Sequence, residues 1–121
     1  MSIRGEEVHG EISSADASGG VALTLYRADK TARTLATSEV LVITDIVASW
    51  SSAGSFAFVS NTDTAGKRIF KATVGALGGM TIPLRAPHYC PIGVMPKLIA
   101  AAGQVDIQIQ GYILRGYNSV A

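Results

Sequence analysis

The chain has 121 residues, a formal net charge of +1 and one cysteine. This charge balance gives no general attraction to nucleic acid or to an anionic membrane, and a single cysteine excludes an intrachain disulfide. Only 16% of the residues are charged and 48% are hydrophobic, whereas about 25% are charged in an average soluble domain. We therefore expect the protein to bury part of its surface against copies of itself or against a larger body.

The first 19 residues are predicted to form a flexible N-terminal arm, followed by one β-sandwich domain over residues 20–121. This first segment has no hydrophobic period and contains glycine and serine at intervals. Residues 1–18 hold Arg4 and four acidic residues, a net charge of −3, whereas the remainder is mildly basic. The arm could dock on the protein's own body or on a neighbour, or it could be a solvated terminus. It has no apolar segment typical of a signal peptide, which predicts synthesis in the cytoplasm.

Two segments carry the clearest alternation of apolar and polar residues. Val21, Leu23 and Leu25 alternate with alanine, threonine and tyrosine, which is the period of a β-strand. In the segment 104–114, the first seven residues (104–110) alternate without interruption between polar and β-branched side chains. The second segment therefore predicts a strand with one buried face and one face rich in glutamine.

The segment 39–50, EVLVITDIVASW, is apolar on both of its alternating faces. β-Branched residues dominate it, so a strand is favoured over a helix. A strand of this kind lies in the centre of its domain or is covered by a neighbouring subunit. Thr44 and Asp45 in its middle predict a β-bulge, with Asp45 buried and accepting backbone N–H bonds.

Shorter segments complete an all-β pattern. Polar or glycine-rich turns at 51–54, 61–66 and 75–79 separate further short strands, and Pro83 indicates a strand at an edge or with a bulge. Residues 86–97 contain three prolines and predict a constrained loop or two short strands. The total is seven or eight short strands without a convincing helix. The predicted fold is a single jelly-roll-like antiparallel β-sandwich with a flexible N-terminal arm.

No motif in the sequence indicates catalysis, a cofactor or a metal. His88 and Cys90 would share one face of an extended chain, but a cysteine flanked by prolines without oxyanion donors is a poor nucleophile. Two histidines and one cysteine are too few ligands for a metal site without carboxylates from elsewhere. We expect a protein that is not an enzyme, with no catalytic residues, no cofactor and no metal.

Four runs in a fixed order carry a family resemblance: LATSEVLVITDI at 35–46, GKRIF at 66–70, GGMTIP at 78–83 and VDIQIQGY at 105–112. Over residues 33–114 the chain resembles small β-sandwich structural proteins of tailed bacteriophages, in particular head decoration (cement) proteins. The resemblance implies a virion protein, made in the host bacterial cytoplasm, that binds the outer capsid surface as a trimer and stabilises the head. The implied partners are copies of itself and the major capsid protein, with no nucleic acid and no membrane. Similar sandwiches also occur in phage tail, baseplate and fibre proteins.

Candidate contact residues for a neighbouring subunit or the capsid follow from exposure arguments. They come from the arm, from the tryptophan at the end of the long apolar strand, and from the proline-rich segment at 87–91. These candidates are Arg4, Glu6, Val8, Ile12, Trp50, His88 and Tyr89.

Two other functions compete with this interpretation. A carbohydrate-binding sandwich would need exposed aromatic side chains grouped on one face or loop, but the four tyrosines (Tyr26, Tyr89, Tyr112 and Tyr117) are scattered along the sequence. A cupin-like enzyme would need a cluster of metal-binding histidines, which the sequence lacks. The sequence also leaves open whether the protein is located on a capsid or a tail.

Overall fold

A computed structural model describes residues 5–14, 20–51, 53–60, 68–100 and 104–115. This part of the chain forms ten β-strands and no helix. The strands are β1 (Glu6–Ser14), β2 (Val21–Ala22), β3 (Thr24–Arg27), β4 (Ala32–Arg33), β5 (Glu39–Trp50), β6 (Gly54–Val59), β7 (Arg68–Val74), β8 (Gly78–Tyr89), β9 (Lys97–Ala100) and β10 (Val105–Arg115). The prediction of an all-β fold is confirmed, with ten strands in place of the seven or eight expected, and the predicted turn at 61–66 lies outside the described residues.

The strands form two antiparallel sheets with the connectivity of a jelly roll. The six-stranded sheet has the order β4-β3-β1-β10-β5-β8, and the four-stranded sheet has the order β2-β9-β6-β7. If the short β3–β4 hairpin is left out and the other eight strands are counted from one to eight in chain order, the first sheet contains strands one, eight, three and six. The second sheet then contains strands two, seven, four and five. This interleaving is the eight-stranded jelly roll, so the predicted fold class is confirmed.

The hydrophobic core lies between the two sheets and is filled by alternate residues of each strand. Val105, Ile107 and Ile109 of β10 are buried as their alternation predicts, and Gln108 and Gln110, which alternate with them, are exposed. Each fully buried aliphatic side chain contributes about 1.5–3 kcal/mol to the stability of the fold. The largest fully buried hydrophobic side chains are Phe58, Leu25, Leu41, Ile43, Ile46, Leu98, Ile107 and Ile109.

The prediction of a flexible arm over residues 1–19 is wrong for residues 6–14. These residues form β1, which pairs with β10 on one side and with β3 on the other. Val8 and Ile12 are buried in the core, and Gly10 lies between them where a side chain would meet Leu23. The alternation of β1 is hard to recognise in the sequence because glycine, at Gly10, stands at the inward-facing position between Val8 and Ile12. Residues 1–4 and 15–19 are outside the described residues.

The strand β5 is apolar on both faces, and of the two predicted reasons the structure shows the first: β5 lies inside the sheet, flanked by β10 and β8. All five residues at its start, Glu39 to Ile43, are buried. A bulge at Thr44 interrupts the register with both neighbours, which confirms the predicted irregularity. The expected burial of Asp45 is wrong: its side chain is exposed and lies 3.1 Å from the Thr44 hydroxyl. The bulge turns Asp45 to the outer face of the sheet, so solvent rather than backbone amides solvates it.

The bulge also explains one glycine of β10. Gly111 pairs with Ile43 directly beside the unpaired Thr44. A Cβ atom at this position would lie 2.0 Å from the carbonyl oxygen of Val42, which no side chain allows. Glycine therefore permits the close approach of the two central strands where the register shifts.

Strand β8 lies at the edge of the six-stranded sheet and contains Pro83 and Pro87. Pairing with β5 jumps from Pro83 to His88, so the intervening residues leave the ladder. The prediction of an edge or bulged strand at Pro83 is thus confirmed. Residues 86–89, expected in a loop or a short strand, belong to this long irregular strand.

Candidate functional site

One end of the sandwich carries a network of ion pairs, here called the charged end. The guanidinium of Arg33 makes two hydrogen bonds to the carboxylate of Glu39, at 3.0 and 2.8 Å, and a third to Glu6 at 3.0 Å. Arg27 lies 3.3 Å from Glu6, and Arg115 lies 3.5 Å from Glu39. The acidic N-terminal segment therefore finds basic partners, but they belong to the same chain.

The ion pairs at the charged end shift the ionisation of their members. The Arg33 guanidinium lowers the pKa of Glu39 from 4.5 to about 2, although burial of the carboxylate opposes this change. The same hydrogen bonds raise the pKa of Arg33. The backbone N–H of Ala36 also donates to Glu39, at 2.8 Å. Glu39 is therefore a buried carboxylate that stays ionised because its oxygen atoms have several donors.

The turns at the opposite end of the sandwich, here called the uncharged end, hold no charged side chain among their described residues, and Asp106 of β10 lies beside them, opposite Ser49. The uncharged end consists of the strand ends and connections at 49–51, 53–55 and 73–79, where β5 meets β6 and β7 meets β8. The register places Trp50 opposite both Val105 and Gly78, which joins these segments at one end of both sheets. The ring of Trp50 is half-buried against Phe56, with ring centroids 5.7 Å apart.

Leu77 is the most exposed large hydrophobic residue of the uncharged end. It occupies the connection between β7 and β8, and 76% of its surface is exposed. Its φ angle of +48° lies in the left-handed region, which costs a leucine roughly 1 kcal/mol or more. A leucine that is both strained and exposed contributes little to the fold of the single chain. Sequence inspection gives only the Gly-Ala-Leu-Gly-Gly turn at 75–79 and no sign of this exposure.

The structure does not bring the predicted contact residues together. Val8 and Ile12 are buried in the core, so the expectation that they contact a partner is wrong. Glu6 belongs to the ion pairs of the charged end, whereas Trp50 lies at the uncharged end. Arg4 is outside the described residues.

His88 and Tyr89, the other two predicted contact residues, lie on opposite faces of β8. His88 is half-buried with its Nε2 3.4 Å from the Ser60 hydroxyl, and burial lowers its pKa. The neighbouring Cys90 is buried, and desolvation raises the pKa of its thiol to about 12. A thiol of this kind stays protonated at neutral pH and is a weak nucleophile. Within the described residues there is no group of three or more metal-ligating side chains.

Three tyrosines lie on the outer face of the six-stranded sheet, and two of them, Tyr89 and Tyr112, contact each other although they are far apart in the sequence. Tyr112 of β10 and Tyr89 of β8 flank Val42 of β5 in one row across the sheet. A hydrogen bond between their hydroxyl groups raises the pKa of Tyr89, and Val42 beneath them is fully buried. Tyr26 of β3 lies on the same face and stacks on His9, with ring centroids 5.4 Å apart.

A pocket of about 360 Å³ opens on this outer face beside the bulge. Its lining residues come from the three central strands: Glu7 of β1, Thr44 of β5, and Gln110, Gly111 and Tyr112 of β10. The alternation of β10 predicts correctly that Gln110 faces outward. Nothing in the sequence indicates that Glu7 lies beside it, because residues 6–14 have no recognisable strand pattern.

The described part of the chain contains no helix with the length and hydrophobicity of a membrane-spanning segment.

Comparisons with known proteins find a structural similarity without a family assignment. No family model matches the chain, and no curated protein matches its sequence. A chain of the virus-like particle of extra small virus, from the giant freshwater prawn Macrobrachium rosenbergii, is similar with a TM-score of 0.40 and 14% identity. The match covers 88% of this chain and 77% of that chain. At this TM-score it carries no argument, and the jelly-roll assignment rests on the strand order.

Proposed function

We propose that this chain is a non-enzymatic virion structural protein that binds the outer surface of a tailed-phage head as a homotrimer and stabilises it. The uncharged end, with Leu77 exposed on it, is the observation that carries the proposal. A chain short of charged residues is suited to covering apolar surface with a partner, and the turns of this end carry the most exposed of its large apolar side chains among the described residues. Contiguous exposed apolar surface marks protein–protein contacts, and in this proposal Leu77 and the exposed edge of Trp50 supply it.

The fold and the sequence resemblance support a virion role. The jelly roll occurs in viral capsid proteins, lectins and cupin enzymes, so the fold alone leaves all three classes open. The resemblance of residues 33–114 to phage head decoration proteins favours the viral class. The same resemblance implies that three subunits associate. Cys90, the one cysteine, is buried with a raised pKa and is a weak nucleophile, which suits a non-enzymatic role.

In the proposed trimer the uncharged ends of three copies pack around one axis. Closed rotational symmetry is the common arrangement of identical subunits, and it lets one surface element bury itself three times. Leu77 and the exposed edge of Trp50 supply the apolar contact. The charged end then points away from the axis, and both outer sheet faces remain at the sides of the subunit.

The test of the virion role is the location of the protein in purified particles. Virions from a lysate of the phage that encodes the chain are separated into heads and tails and analysed by mass spectrometry, and intact heads are imaged by cryo-electron microscopy. We expect the protein in the head fraction, as trimeric density on the outer surface of the shell. Its recovery only with tails, or its absence from particles, would overturn the proposal.

A further inference from the structure

We propose that the outer face of the six-stranded sheet binds an uncharged saccharide in the pocket beside the bulge. The proposal goes beyond the structural role, because it assigns a ligand to a surface that the trimer contact does not use. Small-molecule sites have volumes of about 300–1,000 Å³ and a few convergent polar groups. The pocket of about 360 Å³ between β1, β10 and β5 meets both conditions.

The polar groups of the pocket match the hydroxyl groups of a sugar. The carboxylate of Glu7 offers about four acceptor sites, so it can accept from a ligand in addition to its existing interaction. The amide of Gln110, exposed on the same face, both donates and accepts. The Thr44 hydroxyl lies 3.1 Å from the carbonyl oxygen of Gln110 and 3.1 Å from Asp45, so its lone pairs remain available as acceptors. Adjacent sugar hydroxyls, each a donor and an acceptor, fit this mixture of groups.

Aromatic rings border the pocket on the same face. Tyr112 lines it directly, and Tyr89, half of whose surface is exposed (51%), lies beyond it across Val42. The hydrogen bond between the two tyrosines holds both rings in place over Val42. Rings of this kind present an apolar surface with a polar edge, which suits the C–H face of a pyranose bordered by hydroxyls. The Tyr26–His9 stack extends the aromatic border by a third strand.

The charge of this face selects against anionic ligands. Four carboxylates point outward from it: Glu7, Glu11, Asp45 and Asp106. Arg85 of β8 alternates with Pro83 and Tyr89 and is a cation on the same face, but it does not line the pocket. The only charged side chain among the lining residues is the Glu7 carboxylate, so a sialic acid, uronic acid, sulfate or phosphate group would meet repulsion in the pocket. The ligand is therefore a neutral saccharide.

The first experiment is a glycan array probed with the labelled full-length protein. The array carries neutral oligosaccharides of glucose, galactose, mannose and N-acetylglucosamine beside their sialylated and sulfated counterparts. We expect binding to one or more neutral structures and at least about tenfold weaker binding to their anionic counterparts. Absence of binding to every neutral structure, or a preference for anionic ones, would overturn the proposal.

The second experiment places the bound sugar in the pocket with matched variants. Glu7→Gln removes the pocket carboxylate, whereas Glu11→Gln changes a carboxylate on the same face of the same strand outside the lining residues. Titration calorimetry with the best neutral array ligand should show affinity reduced about tenfold or more by Glu7→Gln and unchanged by Glu11→Gln. Gln110→Ala gives a second pocket variant whose loss of affinity should be similar. Equal effects of Glu7→Gln and Glu11→Gln, or affinity retained in both pocket variants, would contradict the site.

Discussion

The two ends of the sandwich differ in the side chains that cover them: one end carries ion pairs and the other an exposed apolar residue. Glu39 and Trp50 stand at the two ends of the same strand, roughly 36 Å apart at about 3.3 Å per residue. Around Glu39, ionised side chains pair with one another inside the single chain. The turns beside Trp50 hold no charged side chain among the described residues 49–51, 53–55 and 73–79, and a leucine projects from them into solvent. Asp106 of β10 lies next to these turns, opposite Ser49. The ion pairs are therefore at one end of the sandwich, and an exposed apolar residue is at the other.

The two ends therefore serve different purposes: the charged end stabilises the single chain, and the uncharged end is available for association with a partner. Buried ion pairs such as Arg33 with Glu39 are satisfied within the chain and offer little to a partner. An exposed apolar residue on an uncharged turn contributes favourable free energy only when another surface covers it and removes it from water. Changes at the charged end should therefore alter the stability of the single chain, and changes at the uncharged end should alter its assembly.

The largest effect is expected from Arg33→Ala at the charged end. The substitution leaves the carboxylate of Glu39 buried without its two main hydrogen bonds, because both side chains are almost fully covered. Breaking a buried ion pair costs about 3–5 kcal/mol. Urea denaturation followed by circular dichroism should show this loss of unfolding free energy.

The control for this variant is Arg27→Ala. Arg27 contacts Glu6 at 3.3 Å, but both side chains are substantially exposed. Exposed pairs contribute about 1 kcal/mol or less, so this variant should be close to the wild type in stability. Equal destabilisation by the two substitutions would contradict the special position of the Arg33–Glu39 pair.

The second effect is a loss of stability in acid. The pKa of Glu39 is about 2 in the folded state and about 4.5 when the chain is unfolded, so its stabilising effect is complete above pH 4.5. It is lost as the pH falls towards 2, and the contribution is up to about 3 kcal/mol. Urea denaturation at several pH values measures the slope, and Glu39→Gln should flatten it. A slope that is the same in Glu39→Gln as in the wild type would show that other carboxylates cause the acid sensitivity.

The smallest effect on stability is expected at the uncharged end, and it has the opposite sign. Leu77→Asn replaces a leucine at φ +48° with a residue that tolerates the left-handed region. At protein concentrations low enough for both proteins to be monomeric, the free energy of unfolding of the variant should exceed that of the wild type by about 0.5–1 kcal/mol, which urea denaturation measures. A clear destabilisation would mean that the Leu77 side chain is needed for the fold of the single chain.

The sequence predicts much of this fold because most of its strands are long enough to show their period. The alternation at the start of β10 and the apolar run of β5 predict two central strands of the six-stranded sheet. The strand β1 is not predicted because Gly10 stands at an inward position where the pattern needs an apolar side chain, although its pairing with β10 and β3 makes it equally central. Its partner strand β10 is almost a hundred residues away, and no local pattern reports such a pairing.

The candidate sites are predicted less well for a related physical reason. Trp50 and Tyr89 are recognised as contact candidates by residue type, but their surroundings depend on neighbouring strands. The tyrosines are far apart in sequence, and only the sheet order places β10 two strands from β3 on one side and two strands from β8 on the other. The exposure of Leu77 depends on the turn geometry between β7 and β8, which the residues Gly75 to Gly79 allow but do not specify.

The most direct test of the contrast is the native mass of the purified full-length protein, measured by light scattering after gel filtration. Leu77→Asp introduces a charge at the uncharged end, and Ile92→Asp introduces the same charge at an exposed apolar residue near the charged end. We predict the mass of a trimer for the wild type and for Ile92→Asp, and the mass of a monomer for Leu77→Asp. A monomeric wild type, or a trimer that persists in Leu77→Asp, would contradict the assignment of the uncharged end to self-association.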